Sequence, residues 1–321
     1  MIKTLNKYAY HAIEQHVKKT LKWEKAVKKD EHPEALHQMR VGMRRLRTAI
    51  SRFDLLLNLP QSASQKKIAK IARKLGKLRD IDVLKDTLET DYQPHLPPTE
   101  QKLLQTAFNT LDKQRIKALS QTQTTLQSET YKALKKALVD WLEKPIYHPL
   151  ASLSIQQVIP NLLLPEVSSF LLHPGWLVGT NITDSEVKIC PDWEPENLET
   201  ELKNQGEIIH NLRKQAKRVR YQMELFSELY SEYYAAYITE MKNIQDILGN
   251  IQDSVVMSEW LADVFKSEID TNLPTLATLL KENRYQLWQQ WQPVQELYFQ
   301  PEHRHNFHLT ILNPQPNCSD E

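Results

Sequence analysis

The sequence predicts an all-α protein built from two pseudo-twofold-related four-helix bundles joined by a short irregular or hairpin-containing connector. Three observations carry this. Only six glycines occur in 321 residues. Long stretches rich in lysine, glutamate, leucine, alanine and glutamine show apolar residues at a 3.6-residue period. The chain also repeats itself at a fixed offset, so an architecture that suits one half suits the other.

Prolines mark where the helices of the first half begin and end. A helix is expected from about Thr4 to Lys28, and a second opens at Pro33, a residue suited to a first helical turn, and runs to about Leu57. Leu59-Pro60 closes it, and a third runs from about Ser62 to Leu88. After Pro97-Pro98 an apolar-periodic stretch continues to about Glu143, completing a first bundle over residues 1–144.

Residues 145–195 hold seven of the 17 prolines, and Trp176-Leu177-Val178-Gly179 to Val187-Lys188-Ile189 alternates as a hairpin does; this segment reads as the connector. Helical patterning resumes near Pro195 in segments ending near Leu229, Lys266 and Phe299, with a boundary at Asn272-Leu273-Pro274. The second bundle is therefore expected over 196–300, drawing on part of the connector, with an irregular tail over 301–321.

A shift of 173 residues aligns His37, Arg40, Arg45, Arg47 and Phe53 with His210, Arg213, Arg218, Arg220 and Phe226. The same shift, without a gap, aligns Leu75, Gly76, Asp80 and Val83 with Leu248, Gly249, Asp253 and Val256. Met39 with Leu212, Arg44 with Lys217, Leu46 with Val219 and Ile50 with Met223 are conservative pairs in the same frame.

The formal charge of +1 conceals a segregation. Up to Glu89 the chain has 21 lysines and arginines against 10 aspartates and glutamates, a local charge of +11, which leaves −10 for the remainder. At about 100° per residue, His37, Arg40, Arg44 and Arg47 share one face of their helix while Leu46, Ile50, Phe53 and Leu57 share the other. His210, Arg213, Lys217 and Arg220 repeat that stripe, with Val219, Met223 and Phe226 opposite. Arg45 and Arg218 stand at its flank, within reach of an anion on long side chains. On the next helix Lys70, Lys74 and Lys77 share an arc with Lys67, beside Lys66 and Arg73, and the two stripes are expected to face one groove. Like charges one turn apart destabilise a helix by a few tenths of a kcal/mol per pair, so a compensating anion is expected. Arginine supplies the planar, multi-donor contacts that phosphate oxygens accept. Lys18, Lys22, Lys25 and Lys29 read mainly as a solvated face.

Gly76 and Gly249 fall inside helical patterns, where close packing explains them, and Asp80, Asp82 and Asp253 are expected to orient arginines or cap helices. Other signals are discounted. Glu199-Thr-Glu201-Leu-Lys203 has the E-x-E-x-K spacing of triphosphate tunnel enzymes, but those residues alternate along a strand, whereas this segment reads as helix. His303, His305 and His308 read as an incidental surface cluster, and Trp288 with Trp291 as core. No glycine-rich phosphate loop, zinc motif or nucleophile elbow is present. Cys190 and Cys318 lie far apart, which indicates neither a disulfide framework nor a zinc site. Met1 to Lys29 lacks a signal-peptide run and no stretch approaches the roughly 20 apolar residues of a membrane span, so a soluble, cytoplasmic protein is expected.

At His37-x2-Arg40-x3-Arg44-Arg45-Leu46-Arg47, Lys74-Leu75-Gly76-Lys77-Leu78-Arg79-Asp80 and His210-x2-Arg213-x3-Lys217-Arg218-Val219-Arg220, the chain resembles the CHAD family, the conserved histidine α-helical domain, over roughly residues 4 to 300. The resemblance implies two four-helix bundles about a pseudo-twofold axis, with a basic central groove or pore that binds inorganic polyphosphate, often at polyphosphate granules. It makes His37, Arg40, Arg44, Arg45, Arg47, Lys70, Lys74, Lys77, His210, Arg213, Lys217, Arg218 and Arg220 the expected polyphosphate contacts. The second half departs from the first at Asn243, Ile247 and Asn250, which replace the three lysines. Some family members are fused to a triphosphate tunnel domain, for which 321 residues leave no room beside two bundles. The expected function is thus non-catalytic binding of a linear phosphate polyanion, with no catalytic residue, metal or cofactor. A nucleic-acid binder is the first alternative, though the stripes lack the stacking aromatics it needs. A metal-dependent polyphosphate or triphosphate hydrolase is the second, and it requires clustered carboxylates.

Overall fold

The computed structural model describes residues 4–184, 186–190 and 193–315. Two compact units partition the chain: Met1–His95 with Gln101–Val158, and Leu96–Glu100 with Ile159–Glu321.

The first unit contains α1 (Leu5–Lys22), α2 (Glu24–Lys29), α3 (Pro33–Arg52), α4 (Gln65–Thr87), all but the first turn of α5 (Pro98–Gln127), and α6 (Glu129–Glu143). Where one helix is expected to Lys28 there are two, parted at Trp23, and α2 ends on Asp30 in the left-handed region at φ 53°. α3 starts at Pro33 as expected, capped by His32, whose Nδ1 accepts from the Ala35 amide at 3.0 Å. It stops at Arg52, short of Leu57. α4 gives way to a single π turn at Leu88–Tyr92. The stretch that reads as continuous from Pro98 to Glu143 breaks at Ser128, whose hydroxyl accepts from the Tyr131 amide at 3.3 Å and so caps α6.

Ile13, Met39, Met43, Leu46, Phe53, Ile68 and Leu75 are at most 2% exposed and form this unit's core. α1 crosses α3 at Gly42, where a Cβ would stand 2.7 Å from Thr20 Oγ1 and 3.0 Å from the Thr20 amide nitrogen. Arg115 fastens α5: its Nε donates to Asp82 at 2.9 Å, and its two Nη atoms donate to Asp30 at 2.8 and 2.9 Å. Asp82 thus serves an arginine, as expected.

The second unit contains most of α7 (Ile155–Leu171), the hairpin strands β1 (Thr180–Thr183) and β2 (Glu186–Ile189), α8 (Pro195–Leu225), α9 (Glu232–Phe265), α10 (Ile269–Asn272), α11 (Pro274–Phe299) and α12 (Pro301–Leu312). The expected hairpin is present, with Thr180 opposite Ile189 and Thr183 opposite Glu186. Two expectations are corrected. The connector contains α7, a 17-residue helix that tolerates Pro160 and Pro165 in its interior. Ile155, Ile159, Leu163, Val167 and Phe170, buried one after another along it, outweigh the hydrogen bonds the prolines remove. The division between units falls inside this helix.

The tail is also helical. Pro301 opens α12, Phe307 and Ile311 are fully buried, and Tyr230 donates to the Ile311 carbonyl at 2.9 Å. His303 Nε2 lies 3.0 Å from Glu240, which also accepts from the Tyr298 hydroxyl at 2.7 Å, and Arg304 donates to the Leu171 carbonyl. Residues 316–321 of that tail, including Cys318, lie outside the described residues.

Trp288 and Trp291 are core, each 1% exposed. Gln295 Nε2 donates to the Trp176 and Val178 carbonyls at 2.6 and 2.8 Å, holding the approach to the hairpin. Arg284, 3% exposed, donates to both oxygens of Glu199 at 2.6 and 2.7 Å and to Ser254 at 2.9 Å. Glu199 therefore belongs to a structural ion pair on a helix, consistent with discounting its motif. Among the described residues no helix is long and apolar enough to cross a membrane.

Two predictions follow from the α1–α3 crossing. Gly42→Ala pushes a methyl against the Thr20 backbone and should cost about 1–3 kcal/mol, read as a lower urea midpoint at unchanged slope. His16, just before the crossing, is 8% exposed, and its pKa falls to about 4 through burial first, then the charges of Arg45 and Lys19. Its neutral ring stabilises the fold above the unfolded value near 6.5, and that contribution is lost as pH falls from there toward about 4, by on the order of 3 kcal/mol. Stability of His16→Asn measured across this interval should fall less than wild type; parallel curves refute the assignment.

Candidate functional site

The charged stripes sit on the two helices that the repeat singles out, α3 and α8. Each is held by its apolar face: Leu46 and Ile50 on α3, with Phe53 just after it, are at most 2% exposed, as are Val219 and Met223 on α8, with Phe226 just after it. The opposite faces present the cations. On α3, Arg47 is exposed while His37, Arg40 and Arg44 are half-buried; on α8, His210, Arg213, Lys217 and Arg220 are all half-buried.

In each unit one arginine reaches across to the next helix. Arg40 lies over α4 with its guanidinium against Gly76, where a Cβ would stand 2.5 Å from Nη1. The same Nη1 donates to the Ala72 carbonyl at 3.4 Å, and Nη2 lies 3.7 Å from Asp80. Arg213 lies over α9 in the same way, 2.9 Å (Nε) and 3.0 Å (Nη2) from a Cβ built on Gly249, with Nη2 3.8 Å from Asp253. The repeated glycines thus answer to a close approach, made by a side chain and not by helix backbone. Asp80 and Asp253 accompany arginines, as expected.

Both histidines are held below their ordinary pKa, chiefly by burial. Arg79, Arg44 and Arg40 push His37 the same way against Glu34; Lys214 and Arg213 do so for His210 against Asp253 and Glu207. His210 Nδ1 is buried and has no hydrogen-bond partner among the described residues.

Other expected contacts are placed differently. Arg45 and Arg218 stand about 140° around their helices from Arg40 and Arg213, behind the stripes. Arg45 acts on His16 of α1. Arg218 donates to Glu166 of α7 at 2.9 Å, and the same carboxylate accepts from Gln215 and Gln222 at 3.2 and 3.1 Å. Arg220 remains on the stripe, 3.3 Å from Glu224 and 4.7 Å from the Tyr221 ring centroid. On α4, Lys70, Lys74 and Lys77 are exposed. Counted from Gly76, where Arg40 lands, they point about 120°, 160° and 100° away; Arg73 and Lys66, at about 60° and 80°, flank the arginine more closely.

Arg79 and Lys214 belong to the electrostatic surroundings of the two histidines although sequence reasoning gave them no role. Neither has a basic counterpart at the 173-residue offset, so the repeat carried no signal for them. Among the described residues no three histidine, cysteine, aspartate or glutamate side chains are grouped to hold a metal ion.

The arrangement in each unit is a row of cations on a rigid helix, fixed in part by a neighbouring helix. The CHAD domain family model matches residues 11–262. In fold the chain is similar to the crystal structure of the CHAD domain from the plant Ricinus communis, with 22% identity over 98% of this chain and 93% of that one and a TM-score of 0.60. It is also similar to PptA from Streptomyces chartreusis, with 13% identity over 91% of this chain and 99% of that one and a TM-score of 0.66. No curated protein matches the chain. A family match over most of the sequence, an all-helical fold shared with a solved CHAD domain, and the repeated His-x2-Arg stripe agree: this chain belongs to the CHAD domain family.

Proposed function

We propose that the protein binds inorganic polyphosphate through the cationic faces of α3 and α8 without breaking it. The observation that carries this reading is the recurrence, in each unit, of one histidine and three cations on a single helix face, with one arginine of each set laid on the next helix. A linear polyphosphate has a charge on every repeating unit, and a helix face spaces its cations one turn apart, so several charge-assisted hydrogen bonds form along one extended ligand. The family resemblance supports the same ligand. Association with polyphosphate granules in the cytoplasm is part of this proposal. Catalysis is not: Asp80 and Asp253 each lie beside an arginine of the stripe.

Calorimetric titration of long-chain polyphosphate against wild type and the Arg40→Ala, Arg44→Ala, Arg213→Ala, Lys217→Ala variant tests the proposal. Four cations at about 0.7 kcal/mol each amount to a loss of ~100-fold, and equal affinities would refute it. Wild-type affinity should also fall linearly on a log–log plot against salt, by the counterion argument that governs nucleic acids. Single-stranded RNA at equal phosphate concentration should fail to compete, and free phosphate should not accumulate with Mg²⁺ or Mn²⁺ present; either contrary result favours a rival class.

Acidification should tighten binding. Because burial holds His37 and His210 below the ordinary histidine range, the gain should begin below pH ~6.5, and should be absent from the His37→Gln, His210→Gln double variant.

A further inference from the structure

Beyond the cations, the two halves share a glycine and an aspartate on the helix that follows each stripe. On α4, Ala72, Gly76 and Asp80 succeed one another at one-turn intervals, and Arg40 touches all three. On α9, Gly249 and Asp253 repeat the spacing beneath Arg213.

Fold stability does not account for this set. A glycine within a helix is destabilising relative to alanine. Asp80 and Asp253 have side chains 74% and 65% exposed, and ion pairs that wet contribute little. At 3.7 and 3.8 Å from Nη2 of Arg40 and Arg213, the carboxylates stand beyond hydrogen-bonding distance of those nitrogens and bias each guanidinium by charge. Each copy also keeps a negative charge inside a surface otherwise built to attract anions. The second half has lost the lysines of the first, with Asn243, Ile247 and Asn250 at those positions, yet it has kept the arginine, the glycine and the aspartate.

We infer that Gly76 with Asp80, and Gly249 with Asp253, are positioning residues: they hold the guanidinium groups of Arg40 and Arg213 close against the adjacent helix, in one orientation toward an incoming phosphate oxygen. The glycine supplies the space and the aspartate the bias. This rests on the polyphosphate reading for the identity of the ligand. Because the arginine is ordered on folding, less of its side-chain freedom remains to be lost on binding.

The test uses the full chain with Arg40→Ala, Gly76→Ala, Asp80→Asn and the Arg40→Ala, Asp80→Asn double variant. In the free, arginine-labelled protein, the Nε–H resonance that Arg40→Ala abolishes should shift and sharpen in Gly76→Ala, and should shift in Asp80→Asn. In titrations with long-chain polyphosphate, Gly76→Ala and Asp80→Asn should each weaken binding about 3- to 10-fold. The second result is the diagnostic one, since removing a negative charge from a mere neighbour of the site would tighten binding. In the Arg40→Ala background Asp80→Asn should instead tighten binding, because there is then no guanidinium to bias and the substitution removes a negative charge that repels the ligand. An Asp80→Asn variant that binds more tightly with Arg40 present, or an Nε–H resonance unmoved by either substitution, overturns the inference. Asp80→Asn is a surface change and decides the matter alone if Gly76→Ala fails to fold. Wild type that ignores polyphosphate sinks the function proposed above, while the resonance arm still decides whether these residues position the arginine.

Discussion

Like charges set one turn apart push a helix toward coil, so α3 and α8 persist because their opposite faces are buried. The repulsion amounts to a few tenths of a kcal/mol per pair. Burial of a Val, Leu, Ile, Met or Phe side chain contributes about 1.5–3 kcal/mol each, and α3 with its C-terminal neighbour buries Leu46, Ile50 and Phe53 while α8 with its own buries Val219, Met223 and Phe226. The apolar term wins several times over, and the surplus lets a row of cations stand along one face of a buried helix. Everything proposed about the site depends on this imbalance.

The supports differ between the units even though the stripes agree. In the second unit, Glu166 of α7 collects Arg218, Gln215 and Gln222, and Arg284 is locked to Glu199 and Ser254. In the first, Arg115 gathers Asp82 and Asp30, and a neutral histidine, His16, occupies the α1–α3 contact. Duplicated helices therefore keep their charged faces in common while each packs against neighbours with its own chemistry.

Much of this was legible in the residues. The buried faces of α3, α4 and α8 follow from their 3.6-residue period, and Pro33, Pro98, Pro195 and Pro274 mark helix starts because each fills a first turn whose amide needs no partner. What escaped shares a physical cause. α7 and α12 were hidden by prolines and polar residues whose local signal is overridden by distant burial, at Phe170, Phe307 and Ile311. The break at Ser128 rests on one hydroxyl cap within an otherwise continuous period. Angular position identified Arg45 and Arg218 as off the stripe, but that they face α1 and α7 depends on which helix packs there, which periodicity does not encode. Gly76 and Gly249 were visible as anomalies; that a guanidinium fills the space above each is a tertiary fact.

Several of the contacts that close the second unit join residues far apart in the chain. Arg304 reaches the carbonyl of Leu171, 133 positions earlier, and Gln295 reaches Trp176 and Val178 across 119 and 117. On a ribosome adding about 5–20 residues per second, the strip that includes Phe170 and Trp176 waits roughly 7–27 s for α11 and α12 to emerge. The first unit, whose last residue is Val158, is by then complete in sequence. Nascent chains of this protein therefore pass through a stage in which one half is ready to fold while the other displays uncovered aromatic surface, a state that chaperones and proteases act upon.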